Sequence, residues 1–453
     1  MSETNKSSSR RFRPYPEYKD SGVEWLGKIP AHWRSTRLRF VTRINPSKSE
    51  VRSLAGGTPV SFVPMEAMGE YGGLDLGTSK PLDTVGNGYT YFRDGDVLVA
   101  KITPCFENAK GALAARLEGG IGFGTTELHV LRPRRELDKL FLFYLTLSHH
   151  FRSIGASEMY GAGGQKRVPE AFIQNLRHPI PELTEQHAIV AFLERETGKI
   201  DALVAKKERL IELLQEKRTA LITRVVTKGL NPNVPMNNSR VKWLGEIPAH
   251  WRIFHLRRVI WKFVDYRGKT PEKTPSGVPL VTARNIKNQR IDFSLSEEFI
   301  PEDLCTQWMV RGLPERGDVL VTTEAPLGES AQIDDTNIAL AQRIILLKAD
   351  KAKITNDYLK YHFAGDSGRS ELWSNATGST ALGIKASHLK ATLVPVPPVS
   401  EQENITTYVD GETVKLDAMI LKVRHAVERL KEYRSALISA AVTGKIDVRE
   451  EGV

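Results

Sequence analysis

The chain has 453 residues, 40% of them hydrophobic and 26% charged, as in an ordinary globular protein of two or three domains rather than a disordered or fibrous one. Lys and Arg outnumber Asp and Glu by 64 to 54, a balance of +10 that suits a polyanionic partner without requiring one. The two cysteines, Cys105 and Cys305, stand alone and imply neither a zinc site nor a disulfide framework, while the lack of a signal peptide or of any apolar run near the ~18 residues of a membrane span leads us to expect a cytoplasmic protein.

In chain order, Ser7 to Arg13 reads as a loose basic tail. Val23-Glu24-Trp25-Leu26-Gly27-Lys28-Ile29-Pro30-Ala31-His32-Trp33 follows, and it returns as Val241-Lys242-Trp243-Leu244-Gly245-Glu246-Ile247-Pro248-Ala249-His250-Trp251. Further on, Pro179-Ile180-Pro181 to Thr227 aligns without a gap onto Pro395-Val396-Pro397 to Thr443. The offsets are 218 and 216 residues. A period that long is not a solenoid repeat but a duplicated domain with its connector. Four segments result: a domain at 15–178, a helical spacer at 179–230, a second domain at 238–394 and a second spacer at 395–446.

Both domains alternate short β-rich runs with turn residues, as in Asp96-Val97-Leu98-Val99-Ala100 and Leu128-His129-Val130-Leu131. A helical pattern over Leu137 to Arg152 interrupts the first, and Tyr358 to Phe363 stands in its place in the second. The fold class expected is therefore mixed α/β (α+β). Gly95-Asp96-Val97-Leu98-Val99 matches Gly317-Asp318-Val319-Leu320-Val321, and the glycine-rich Gly120 to Gly124 reads as a turn before a strand.

The spacers are helical. In the first, Ile200, Leu203, Val204, Leu210, Ile211, Leu214, Leu221 and Val225 recur at helical spacing. In the second, Leu416, Val423, Leu430 and Leu437 fall every seven residues with Met419 and Ala426 between them, a coiled-coil seam; Lys207 takes the place of Val423 in the first copy. Ser400-Glu401-Gln402-Glu403, and more weakly Thr184-Glu185-Gln186-His187, read as capping boxes. Two such helices in one chain are expected to pair as an antiparallel coiled coil and relate the two domains by a pseudo-twofold axis. That is the geometry of a bipartite DNA reader, whose half-sites lie ~34–36 Å apart on one face, and a helix from Lys199 to Thr227 spans roughly 43 Å.

These motifs, in duplicate and in order, resemble the specificity subunit of type I restriction–modification systems over essentially the whole chain. The carriers are the Trp25 to Trp33 segment and its repeat, Gly95 to Asn108, and the two Pro-Ile/Val-Pro segments. Each of these is followed by Glu-Gln and a long helix ending Arg-(Thr/Ser)-Ala-Leu-Ile. The resemblance implies two target-recognition domains, each reading half of a split double-stranded DNA sequence, and a subunit that is not itself catalytic and needs no cofactor. Its partners would be two methyltransferase subunits that bind S-adenosylmethionine and methylate adenine, joined by restriction subunits that translocate and cut DNA with ATP. Lys101-Ile102-Thr103-Pro104 becomes Thr322-Thr323-Glu324-Ala325-Pro326 in the second copy, so the two half-sites should differ.

Catalytic motifs are not found. Gly120 to Gly124 lacks the strand, helix and acidic residue of a dinucleotide fold. Gly161 to Lys166 is no phosphate-binding loop, and Asn231-Pro232-Asn233-Val234 lacks the aromatic residue that stacks a flipped base in amino-methyltransferases. DNA-contact candidates are three loop systems with amide, hydroxyl and basic groups that can read base edges or phosphates. The first is Lys101, Thr103, Glu107 and Asn108. The second is Gln165, Lys166 and Arg167 with the counterparts Ser379, Thr380 and Lys385, while Thr323 lies in the second copy's counterpart of the first. The third is Arg284, Asn285, Lys287 and Asn288. A solvated turn is the competing reading for each. The tryptophan-rich repeat reads as a brace packing each domain on the spacer helices, with His32 and His250 as hydrogen-bonding boundary residues. Trp25, Trp243, Leu214, Leu221, Leu430 and Leu437 are the expected partner-docking residues. Rival readings are a protein–protein scaffold, which would lack steep salt dependence, and a self-sufficient methyltransferase or nuclease.

Overall fold

The computed structural model describes residues 12–162, 164–266, 268, 270–378 and 382–450. Two compact units emerge: the chain up to Lys207 with everything from His425 on, and Glu208–Arg424. Two long helices, Leu183–Lys228 and Val399–Val442, each contribute one part to either unit. Of the expected tail, Phe12 and Arg13 are described and both are docked. The Phe12 ring meets Phe192 edge-on at 5.3 Å, and Arg13 O accepts from Asp447 N at 2.8 Å.

The first unit holds two four-stranded sheets. One runs Ser79–Pro81, Pro59–Val63, Ile121–Gly124, Thr90–Arg93, with the middle pair parallel; the other runs Thr42–Ile44, Leu128–Pro133, Val97–Ala100, Gly111–Leu113, antiparallel throughout. Val97 to Ala100 is buried on both faces, which is why it reads as an unbroken apolar run rather than an alternating one. The expected turn at Gly120 to Gly124 is corrected: Ile121–Gly124 is a strand. A Cβ at Gly122 would lie 2.2 Å from the Phe92 ring and one at Gly124 2.6 Å from Val63 O, so the glycines serve close packing. The expected helix from Leu137 to Arg152 is two helices, Lys139–Leu147 and His149–Ser157. Extended Ser148 separates them and caps the second, as Asp138 caps the first. Phe141 and Phe151 pack with Val97 and Val99, with Ile189 and Leu193 of the first long helix and with Ile438 and Val442 of the second, in one core.

The second unit repeats the plan. Its larger sheet runs Ile260–Asp265, Ile344–Ala349, Val319–Thr323, Leu327–Gln332, and its smaller one Phe299–Ile300, Val278–Val281, Ala339–Leu340. Helices Asn356–Ala364 and Asp366–Ser374 stand where the first unit has its pair. A buried ion pair recurs: Arg132 forks onto Asp96 at 2.6 and 2.7 Å, and Lys348 reaches Asp318 at 2.8 Å.

Each tryptophan repeat braces its unit at the long helices. Trp33 is buried in the first core and Trp251 in the second. His32 Nε2 lies 2.8 Å from Glu185 and His250 Nε2 2.7 Å from Glu401. The capping-box expectation is corrected by the same contacts. The long helices begin at Leu183 and Val399, so Thr184 and Ser400 already lie inside the first turn. The Glu and Gln that follow tie the domains down: Gln186 bridges Asp138 N, Glu136 O and Pro181 O, and Gln402 bridges Thr355 N, Lys353 O and Pro397 O.

The seam of the second helix alternates steps of four and three: Leu416, Ile420, Val423, Val427, Leu430, Arg434, Leu437, Ala441, all buried or half-buried. Ile420 and Val427 replace the expected Met419 and Ala426, because a 3.5-residue repeat needs both step lengths; Met419 is exposed, as are Leu203 and Leu210 of the first helix. Within each unit the two helices run antiparallel, and each unit closes the same polar contact in the seam. Arg434 pairs with Asp201 at 2.9 Å in the first, and Arg218 pairs with Asp417 at 3.2 Å in the second. Asp201→Asn, which strands a buried guanidinium, is expected to destabilise the first unit by about 1–2 kcal/mol, whereas Arg434→Met, which suits an apolar seam, should be near neutral. Urea unfolding of the two variants checks the order.

Candidate nucleic-acid interface

In the first unit two expected loops meet at one place. The strand Val97–Ala100 leads into Lys101, whose N–H donates to Glu127 O at 2.9 Å and whose carbonyl accepts from Val168 N at 2.8 Å. Thr103 N donates to Lys166 O at 2.9 Å, and its hydroxyl reaches Glu107 Oε1 at 3.2 Å. Tyr160 and Arg167 exchange backbone hydrogen bonds and close the glycine loop between them. Gly161 has φ +135°, and a Cβ there would lie 2.7 Å from Gln165 O, so the loop's tightness requires glycine. Lys101, Thr103 and Glu107 are thereby brought beside Gln165, Lys166 and Arg167. Asn108 is exposed and donates to Glu70 at 3.2 Å. Lys101 also lines a cleft of about 280 Å³ with Asn45, Lys48, Tyr89 and Thr126.

Charge at this junction is ordered. Arg167 donates from Nε and Nη2 to the two oxygens of Glu127, both at 2.9 Å, and from Nη1 to Gln165 O at 3.3 Å. That fork holds the Glu127 carboxyl below its ordinary range. Beside Phe106, Arg152 is buried, and among the described residues no carboxylate pairs with it. It donates to Phe106 O at 2.9 Å and lies 4.7 Å from that ring, and burial lowers its pKa to about 9.

The second unit rebuilds the junction with other side chains. Thr323 N donates to Arg343 O and Thr323 O accepts from Ile384 N, both at 2.9 Å, and Thr377 and Gly383 exchange backbone bonds. Thr323, Arg343, Gly383 and Ile384 thus occupy the places of Lys101, Glu127, Arg167 and Val168. Thr323 is buried in its strand, so its expected role in DNA contact is corrected: the neighbouring Arg343 is exposed instead and Glu324 half-buried. Asn285 is likewise corrected. It is fully buried, accepts from Thr282 N and Oγ1 at 2.8 Å, and donates to Asp292 O and Ser296 O at 3.1 and 2.8 Å, so it holds the loop together. Arg284, Lys287 and Asn288 are exposed, the last in a hairpin turn with Gln289 where both have positive φ. Lys385 is exposed at the start of the helix Ala386–Ala391. Ser379 and Thr380 lie outside the described residues, as do Gly163 and Ser7 to Arg11.

Glu127 and Arg343 escaped the sequence reading, and Glu324 entered it only as part of the Thr322 to Pro326 loop, although the offset of 216 residues, carried back from the spacers to Leu128 and Ile344, sets Glu127 against Arg343. Of the expected docking residues, Trp25 and Trp243 are half-buried, Trp25 tilted on His150 at 5.1 Å. Leu214, Leu221 and Leu430 are half-buried in the seam. Leu437 is buried in the first core, which corrects its assignment to a docking surface. Among the described residues no group of His, Cys, Asp or Glu could hold a metal ion, and no helix is long and apolar enough to cross a membrane.

Residues 89–213 match the model of the type I restriction modification DNA specificity domain. The chain is 43% identical over 165 residues to the EcoEI specificity subunit of Escherichia coli and 38% identical over 183 residues to the EcoAI specificity subunit. These matches cover 36% and 40% of the chain, and it spans only 27% and 30% of the lengths of those relatives. A longer match, 23% identical over 439 residues, covers 93% of the chain and 95% of the MjaVIII specificity subunit of Methanocaldococcus jannaschii. The fold is shared with a chain from a solved structure described as the "structural basis underlying complex assembly and conformational transition of the type I R-M system", at TM-score 0.66 and 19% identity, over 92% of this chain and 99% of that one.

Proposed function

Since the chain belongs to the family of type I restriction–modification specificity subunits, we propose that it is a non-catalytic, DNA-binding subunit that reads a bipartite, asymmetric target and positions partner methyltransferase and restriction subunits on it. In this reading 15–178 and 238–394 are the target-recognition domains and 179–230 and 395–446 the spacers. The observation that carries it is the loop junction built twice on one backbone ladder with different side chains: Lys101, Glu127 and Arg167 in one unit, Thr323, Arg343 and Gly383 in the other. A reader of two different half-sequences needs a common scaffold and divergent contact groups. Phosphate contacts set register and loop side chains read base edges; Lys101, Gln165 and Lys166 serve in the first unit and Arg284, Lys287, Asn288 and Lys385 in the second. Two methyltransferase subunits dock on the exposed apolar side chains of the helices, Leu210, Leu213, Met419 and Leu421, with the half-buried Trp25 and Trp243. The buried Leu437 takes no part.

The test is single-molecule sequencing of DNA methylation in cells that carry the chain with the methyltransferase of its system. Methyladenine confined to one split, asymmetric motif, and lost on deletion of this chain, is the expected result; methylation indifferent to the deletion overturns the reading in favour of a scaffold. Lys166→Ala is expected to weaken binding about equally across sequences, to reduce the slope of log affinity against log salt by about 1, and to leave assembly with the methyltransferase intact. Salt titration by fluorescence anisotropy, with co-purification alongside, checks it.

A further inference from the structure

An arginine reads guanine when its guanidinium is held still, because recognition of O6 and N7 uses two parallel N–H bonds from one edge of a planar group. At the first loop junction the Nε–Nη2 edge of Arg167 is fully engaged by Glu127, with both distances 2.9 Å. Among the described residues the adjacent Nη1–Nη2 edge carries one long bond of 3.3 Å, from Nη1 to Gln165 O. The arginine side chain is 39% exposed and the glutamate 24%, so the guanidinium is the more accessible member of the pair. The backbone on both sides is tied: Arg167 pairs with Tyr160 and with Ile102, and Lys101 N donates to Glu127 O. A long, otherwise mobile side chain is thus held in one orientation, which lowers the entropy cost of a bidentate contact.

We infer that Arg167, buttressed by Glu127, is the group that reads a guanine in the half-site of the first unit, with Glu127 as its positioning residue. This rests on the DNA-reading function proposed above and assigns it a base. The second unit has an ion pair at the same junction with only one member at a matching position, because Gly383 stands where the first unit has Arg167. Arg343 stands at the position of Glu127, and its carboxylate, Glu324, comes from the loop after the strand Val319–Thr323 at 3.8 Å. The second guanidinium therefore approaches from the other side of the junction and is held loosely, so the two units do not read the same base at the same place.

The full chain, co-expressed with the methyltransferase of its system, is tested by motif sequencing and by selection from a randomised duplex library. Arg167→Lys keeps the charge and loses the fork. It is expected to relax one G·C pair in one half of the motif by roughly ten- to hundred-fold, while the other half and the salt slope stay as in wild type. Glu127→Gln retains Arg167 and should relax the same base pair to a smaller degree. Arg343→Lys should leave that pair untouched. An unchanged motif, or a uniform fall in occupancy at all positions, for both Arg167→Lys and Glu127→Gln would make the pair a mere loop clamp and overturn the inference. A wild-type chain that selects no split motif would instead overturn the DNA-reading function itself.

Discussion

Trp33→Ala is expected to cost the first unit about 3–5 kcal/mol, the usual loss for truncating a fully buried aromatic side chain, and to leave the second unit intact. Trp33 has no exposed surface and lies in a core shared by both long helices and the helices Lys139–Leu147 and His149–Ser157. The end of the second long helix closes directly over it. Gly444 has φ +72°, and a Cβ there would lie 2.4 Å from Pro30 and 3.2 Å from the Trp33 ring. Trp251→Ala should do the same to the second unit, where Trp251 also donates to Glu401 at 3.2 Å. Trp25→Ala should cost far less, its ring being half-exposed. Peptide-resolved hydrogen exchange separates the units: Trp33→Ala should strip protection from 139–157 and spare 356–374. Equal loss in both stretches would show that the two units unfold as one.

The second large effect is acid destabilisation that begins well above the carboxylate range. His178 is fully buried with its Nδ1 2.9 Å from Pro179 O, and burial pushes its pKa down to about 3. In the second unit, burial pushes that of His362 down to about 4. Both values lie below the ~6.5 of a histidine in an unfolded chain. As pH falls, the unfolded state takes up these protons first, so stability is complete above about pH 6.5 and declines below it. Each histidine contributes about 1.4 kcal/mol of loss per pH unit, down to its own folded value. Between pH 6.5 and 5 the carboxylates of Glu50 and Glu127, which their arginine partners hold low, do not yet contribute. Urea midpoints of the first unit should therefore fall across this window in wild type and fall less in His178→Gln. An identical pH slope in the two proteins would remove His178 as the cause.

What could be read in the residues was what repeats. The tryptophan segment, the two spacers and the strand pair at Val97 and Val319 all carry their signal locally, through apolar spacing and turn residues. The mixed sheet-and-helix fold with two long helices followed from them. The seam was misplaced by one residue at Met419 and Ala426 because a seven-residue repeat fixes every second contact and leaves the intermediate step open between three and four. Gly120 to Gly124 looked like a turn because its glycines answer to Phe92 and Val63, side chains remote in sequence. The junction was half legible: Lys101, Lys166 and Arg167 stand out by charge in glycine-rich and polar loops. Glu127 hides before a strand, and its importance arises only when chain folding brings Arg167 within 2.9 Å. Thr323 and Asn285 show the converse, polar residues in loop-like sequence that the fold places inside.

The seam contact in the long helices has a genealogical consequence. Asp201 and Arg218 lie on one helix, and Asp417 and Arg434 at the matching positions of the other. Every copy of the 216-residue plan therefore carries both the acid and the base that its antiparallel neighbour needs. A single copy is complementary to itself, the condition for an isologous pair of identical chains. Fusing two copies keeps that contact unchanged, yet it lets the loops of one unit mutate while those of the other are preserved, which identical chains cannot do.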